Sequence, residues 1–213
     1  MLLYILLGFL ILSIMFVWYM GFHKKIVVDR KRLPRRYVLY REYIANYSKD
    51  MGRIFKELNS DLRDVFRGNL SFGIYYDNPQ IVVDQSKCRA SVGIYLDPSD
   101  INKAQGFATV HKQYRFKELP EMDCIYTDFP YKNSLSILWA VLRIFPKLIN
   151  YLVQNNLVQD YCNEVDGIVE NYYWNGPNKY TEFAIPFGKT IKQFSLTTFP
   201  QPTLKPQFQN KSE

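Results

Sequence analysis

Met51-Gly-Arg-Ile-Phe-Lys-Glu-Leu-Asn-Ser-Asp-Leu-Arg-Asp-Val-Phe66 is the stretch on which the fold turns. Met51, Ile54, Phe55, Leu58, Leu62, Val65 and Phe66 recur at three- and four-residue steps, so a helix here gathers them on one apolar stripe that needs a surface to cover. Ser48 is the expected N-cap and Gly68 the expected stop. Upstream, Tyr37 to Ala45 alternates imperfectly and is rich in β-formers. Downstream, Leu70 to Tyr76 and Arg89 to Leu96 read as strands on either side of a loop opened by Asp77-Asn78-Pro79. Gly73 and Gly93 fall inside those strands, where glycine marks a bulge, the commoner case, or a close approach of another backbone or a ligand.

The second half repeats that order. Met122 to Phe129 reads as a strand, Asn133 or Ser134 as a cap, and Leu135, Leu138, Trp139, Leu142, Phe145, Ile149 and Leu152 as one apolar helical stripe. Pro146 is expected to kink or divide this helix. Strands follow around Asp166 to Tyr173 and Lys179 to Phe187, joined by Asn175-Gly176-Pro177-Asn178. Between the halves, Ile101 to Lys112 is a further, weaker helix. Strand, helix, strand, strand thus occurs twice. A duplicated unit of this kind predicts an α+β fold: an antiparallel sheet with helices on one face and a concave opposite face where a ligand could sit. The domain is expected over residues 37–190, with a short, partly disordered Pro- and Gln-containing tail over 191–213.

Residues 1–20 contain no charge and no proline. As a helix they reach roughly 30 Å, the thickness of a hydrocarbon core. With no basic residue ahead of the run and Trp18-Tyr19-Met20 closing it, an uncleaved transmembrane signal anchor fits better than a cleaved signal peptide. The basic juxtamembrane segment, residues 21–36, holds seven Lys and Arg against Asp29. By the positive-inside rule it stays in the cytosol with the domain, and the amino terminus is translocated. Six of the seven net positive charges lie before residue 37. The pI near 9.2 is therefore a property of this collar, for which a role as topology signal is sufficient, and it does not point to nucleic acid; the expected partner is the lipid bilayer that takes the apolar run.

Catalytic groups are scarce. His23 belongs to the membrane flank and His111 to the weak helix, and no nucleophile elbow, phosphate loop, dinucleotide fingerprint or zinc motif is present. Cys88, Cys124 and Cys162 have no ligand spacing and read as reduced, buried thiols. No catalytic residue, metal or cofactor is expected. Aromatics do cluster near the strands, at Tyr75, Tyr76, Tyr126, Tyr172, Tyr173 and Trp174, beside Glu182. A pocket of that composition suits a cationic or flat, small amphipathic ligand.

Several stretches carry a resemblance: Met51-Gly-Arg-Ile-Phe-Lys-Glu57, Ile74-Tyr-Tyr-Asp-Asn-Pro79, Lys87-Cys-Arg-Ala-Ser-Val-Gly93, Phe129-Pro-Tyr131 and Arg143-Ile-Phe-Pro146. In order and spacing they resemble the testis-expressed ER-phagy receptor family, single-pass membrane proteins with a GyrI-like domain. Thr181-Glu-Phe-Ala-Ile-Pro-Phe187 is similar to the closing strand of bacterial GyrI-like effector-binding domains. The resemblance implies the duplicated fold, an endoplasmic reticulum anchor with a cytosolic domain, and a part in reticulophagy, which in the animal members needs an acidic tail carrying an autophagy-modifier-binding peptide. The 26 residues after Phe187 hold one acid, Glu213, and no aromatic-x-x-aliphatic core. Two readings follow: a non-enzymatic adaptor with a cytosolic protein partner, or a membrane-tethered ligand-binding or hydrolytic domain in which Tyr126, Trp139 and Glu182 are the ligand-binding residues to test.

Overall fold

A computed structural model describes residues 1–66, 70–157, 167–173, 177–187 and 195–206. The expected stop at Gly68, Cys162, Trp174, the first two residues of the Asn175 turn and the last seven residues lie outside these. Eight strands form one sheet: β1 (Asp29–Leu33), β2 (Arg36–Ile44), β3 (Ser71–Tyr75), β4 (Arg89–Leu96), β5 (Arg115–Leu119), β6 (Met122–Pro130), β7 (Ile168–Tyr173) and β8 (Tyr180–Pro186). Their order is β1-β6-β8-β7-β3-β4-β2-β5, with every neighbouring pair antiparallel. Among the described residues the α-helices are α1 (Leu2–Tyr19), α2 (Tyr47–Leu62), α3 (Ile101–Val110) and α4 (Ser134–Gln154).

The duplication reads directly off this order. β2-α2-β3-β4 and β6-α4-β7-β8 are the two units, and they meet at the central β3–β7 pair. The sheet's period of two sends Leu39, Ala90, Val92 and Ile94 to the helix-bearing face, where Met51, Ile54, Leu58 and Leu62 of α2 cover them. Ile125, Phe183 and Ile185 lie on the same face under Ala140, Ile144 and Leu148 of α4. The other face holds Val38, Tyr40, Phe72, Tyr95, Cys124, Val169 and Ala184.

Several expectations are corrected. The cap of α2 is Asn46, whose side chain accepts from the Ser48 amide at 3.2 Å, so Ser48 is already inside the helix. Gly73 and Gly93 interrupt no pairing; a Cβ at Gly93 would run into the Leu39 carbonyl and the Tyr40 backbone, so the close approach is the reason for glycine there. β1 and β5 extend the two ends of the sheet at stretches where the sequence suggested no strand. α4 runs uninterrupted through Pro146 from an Asn133 capping box. Its buried apolar residues are Ala140, Ile144, Leu148 and Leu152, so of the expected stripe Leu152 alone is fully buried among the described side chains.

The helix-free face is not an open ligand surface. Residues 195–198 lie on it: Leu196 is 2% exposed in the core and its amide donates to the Tyr76 hydroxyl at 3.1 Å, while further on Leu204 bridges to Val82 in the loop after β3. This part of the expected disordered tail is a docked strap. Among the described residues, Leu135–Gln154 is the helix long and apolar enough to cross a membrane by length and composition, yet its buried stripe packs on the sheet; the described apolar run Tyr4–Tyr19 is shorter.

Candidate functional site

α2 and α4 stand apart on the helix-bearing face, and between them lies a cleft of about 2150 Å³. The apolar part of its walls comes from both helices: Met51 and Leu58, which also cover the sheet, with Phe55 from α2, and Ile137, Val141 and Phe145 from α4. Its floor is the central strand pair, which contributes Tyr75, Ile168, Glu170 and Tyr172.

Glu170 is the residue of chemical interest. It is 5% exposed, in a strand buried at nearly every position. It lies opposite Gly73 in the β3 register, where a Cβ would press to 3.1 Å from the Tyr75 ring, so the glycine leaves that ring room to lean over the floor. The Tyr172 hydroxyl donates to Glu170 Oε2 at 2.7 Å and stands 2.8 Å from the Tyr75 hydroxyl. Phe55 meets Tyr172 edge-on at 4.8 Å, and Tyr47 meets Tyr75 edge-on at 4.9 Å. Desolvation lifts the Glu170 carboxyl to about 7, and the Tyr172 hydrogen bond offsets only part of that rise. Burial likewise raises both tyrosines well above their ordinary range. An acid with no cation beside it among the described residues, ringed by four aromatics, offers a charge and π-faces to an apolar cation.

At the rim, Arg89 holds Asp77 through Nη2 to Oδ1 at 2.8 Å and Nε to Oδ2 at 3.0 Å, and Asp77 is nearly buried. The Tyr47 hydroxyl donates to the Arg89 carbonyl and accepts from the Asp77 amide. This network ties the loop after β3 to the start of α2 and fixes one edge of the cleft.

The three residues singled out from the sequence lie elsewhere. Glu182 is 6% exposed but on the helix-free face. It accepts from Asn171 Nδ2 at 2.9 Å and pairs with Lys31 of β1, whose ammonium also lies 4.5 Å from the centre of the Tyr126 ring. Asn171 in turn accepts from the Tyr95 hydroxyl at 2.8 Å. Tyr126 and Glu182 are therefore brought together, around a cation supplied by the chain itself. Trp139 is on α4, across the sheet from them, edge-on to Phe22 at 5.2 Å. None of the three lines the cleft. Glu170 was missed because its strand reads as core; the available signal was a lone acid in the strand Ile168-Val-Glu-Asn-Tyr-Tyr173.

Cys88 and Cys124 are buried, with thiols pushed up by desolvation to about 11 and about 12. Neither is poised as a nucleophile.

No family model matches the chain. It is 29% identical over 151 residues to the testis-expressed protein 264 homolog of Mus musculus, an alignment covering 67% of this chain and 46% of that protein. It is 30% identical over 126 residues to testis-expressed protein 264 of Homo sapiens, covering 56% and 37%. The chain thus spans less than half the length of the curated relatives it matches. Among solved structures it is similar to the EcmrR C-terminal domain, with a TM-score of 0.50 at 13% identity over 77% of this chain and 98% of that one. It is also similar to EcmrR in its DNA complex, with a TM-score of 0.51 at 13% identity over 84% and 65%. Sequence similarity to testis-expressed protein 264 and an α+β fold shared with the EcmrR C-terminal domain are what these comparisons establish.

Proposed function

We propose that this chain is a membrane-anchored, non-enzymatic binding module whose α2–α4 cleft receives a small amphipathic ligand with a cationic centre. The observation that carries the reading is Glu170, a buried acid on the floor of an aromatic and apolar cleft. Binding is favoured over catalysis because the groups around Glu170 are tyrosines whose hydroxyls burial keeps protonated, which solvate a charge but do not attack a bond. A cation entering the cleft pairs with the ionised carboxylate, so binding releases a proton wherever Glu170 is protonated beforehand. Titration calorimetry with methyltriphenylphosphonium tests this. The expected result is an affinity that rises from about pH 5 to about pH 8, and a loss of about tenfold or more in Glu170→Gln. Equal affinity in wild type and Glu170→Gln overturns the assignment.

The remainder of the reading concerns place. The apolar run before Gly21, the basic collar and the similarity to testis-expressed protein 264 support a single-pass protein of the endoplasmic reticulum with its domain in the cytosol, serving reticulophagy as an adaptor through a protein partner. Nucleic acid is not among its partners in this reading. Protease treatment of sealed microsomes that leaves the domain intact overturns the cytosolic placement, and release of the chain by alkaline carbonate overturns the anchor.

A further inference from the structure

α4 carries a second apolar stripe that the domain leaves uncovered. Leu135, Leu142 and Val153 are each about half exposed, and Pro146 between them is exposed as well. The helix also bears Arg143 and Lys147 and no acid, whereas α2, its counterpart in the other unit, bears Asp50, Glu57 and Asp61. The stripe begins where α1 ends. Met20 is fully buried, Arg143 donates to the carbonyls of Gly21 at 3.3 Å and Lys24 at 3.0 Å, and its guanidinium stacks 4.8 Å from the Phe22 ring. Phe22 touches Trp139, and the Lys132 ammonium lies 5.4 Å from the Tyr19 ring centre. The described side chains of α1 from Tyr4 to Tyr19 are uncovered nearly throughout.

Two uncovered apolar surfaces are therefore continuous, joined by a cluster of aromatics and carrying cations without acids. That is the composition of a helix lying in a head-group region. We propose that the outer stripe of α4 docks on an anionic bilayer surface, the same membrane that holds α1. The proposal rests on the anchor reading above. Leu135, Leu142 and Pro146 also border the cleft, so docking turns the cleft mouth towards lipid, and the ligand class narrows to amphiphiles that partition into the membrane before they enter.

The test uses the full chain in vesicles of phosphatidylcholine with phosphatidylserine, spin-labelled at Leu142→Cys in a Cys162→Ser background, with Leu10→Cys and Lys112→Cys as references. Cys88 and Cys124 are buried and escape labelling. The expected ratio of oxygen to nickel-chelate collisions at position 142 is several-fold above that at position 112, and it falls towards the latter when phosphatidylserine is omitted or Lys147→Glu is introduced. Val153→Cys repeats the measurement should Leu142→Cys unfold. Water-like accessibility at positions 142 and 153 with a lipid-embedded label at position 10 overturns the docking and leaves the anchor standing. A water-exposed label at position 10 overturns both.

Discussion

Glu170 and Glu182 are two buried carboxylates on opposite faces of one sheet, and their surroundings give them opposite consequences. Glu170 is raised from 4.5 to about 7 by burial. Its folded value lies above its unfolded one, so the protonated form favours folding. Stability is full below the unfolded value, falls as pH rises from about 4.5 to about 7, and stays low above that, a loss of order 3 kcal/mol by linkage. Glu170→Gln should flatten that slope and raise stability at about pH 8 by about 1–3 kcal/mol, read from urea unfolding across the range. A variant that keeps the wild-type slope would assign the pH dependence to another group. Glu182 has its countercharge in Lys31, which is itself part exposed. Lys31→Met leaves the carboxylate buried without its cation and should cost about 2–3 kcal/mol, while adding Glu182→Gln should recover most of that loss. If the two losses simply add, the pair is not coupled.

The elements differ in how openly the sequence declares them. α2 was legible because its polar residues leave one stripe, and that stripe is the buried one. α4 has two apolar stripes and few polar residues to break the tie. Periodicity picked the stripe with the larger aromatic side chains, whereas the stripe the sheet covers is Ala140, Ile144, Leu148 and Leu152. β1 was hidden in a run of charge, since an edge strand whose Lys31 is neutralised across the sheet looks like solvated collar. The strap was hidden for a related reason: one side chain, Leu196, is fully buried, and backbone hydrogen bonds such as Val83 to Thr203 at 3.0 Å, which composition cannot report, do much of the holding. The site fared worse than the fold, because Tyr126 and Glu182 were chosen for a face that the strap and Lys31 fill. These assignments reverse a ranking that hydropathy alone would give. Ile144→Ala should cost about 2–4 kcal/mol, whereas Leu142→Ala in the absence of lipid should stay within about 0.5 kcal/mol. Chemical denaturation of the two variants decides which stripe is core.

At the scale of the whole molecule, a pseudo-two-fold sheet of two similar units is closed at one end by β1 and at the other by β5. The end closed by β1 is also the end that leads to α1, so in the proposed anchored arrangement the junction serves both stability and anchoring. The contacts separate the two duties. From Met20 onwards the chain is bound into the domain, through Met20 itself, the Arg143 bonds to Gly21 and Lys24, and the Lys24–Asp128 and Lys31–Glu182 pairs. Before Met20 the described helical side chains are uncovered almost throughout. Removal of residues 1–19 should therefore leave the unfolding free energy in detergent unchanged to within about 0.5 kcal/mol. Removal of residues 1–33 uncovers the β6 edge, strands Glu182 beside Asn171 and frees Arg143, and should cost about 4 kcal/mol or more. Parallel denaturant titrations of the two truncations measure the difference. A large loss already in the shorter truncation would make α1 part of the folded body. A small loss there with a large loss in the longer one places the boundary at Met20, where a rigid link would carry the orientation of the bilayer into the sheet.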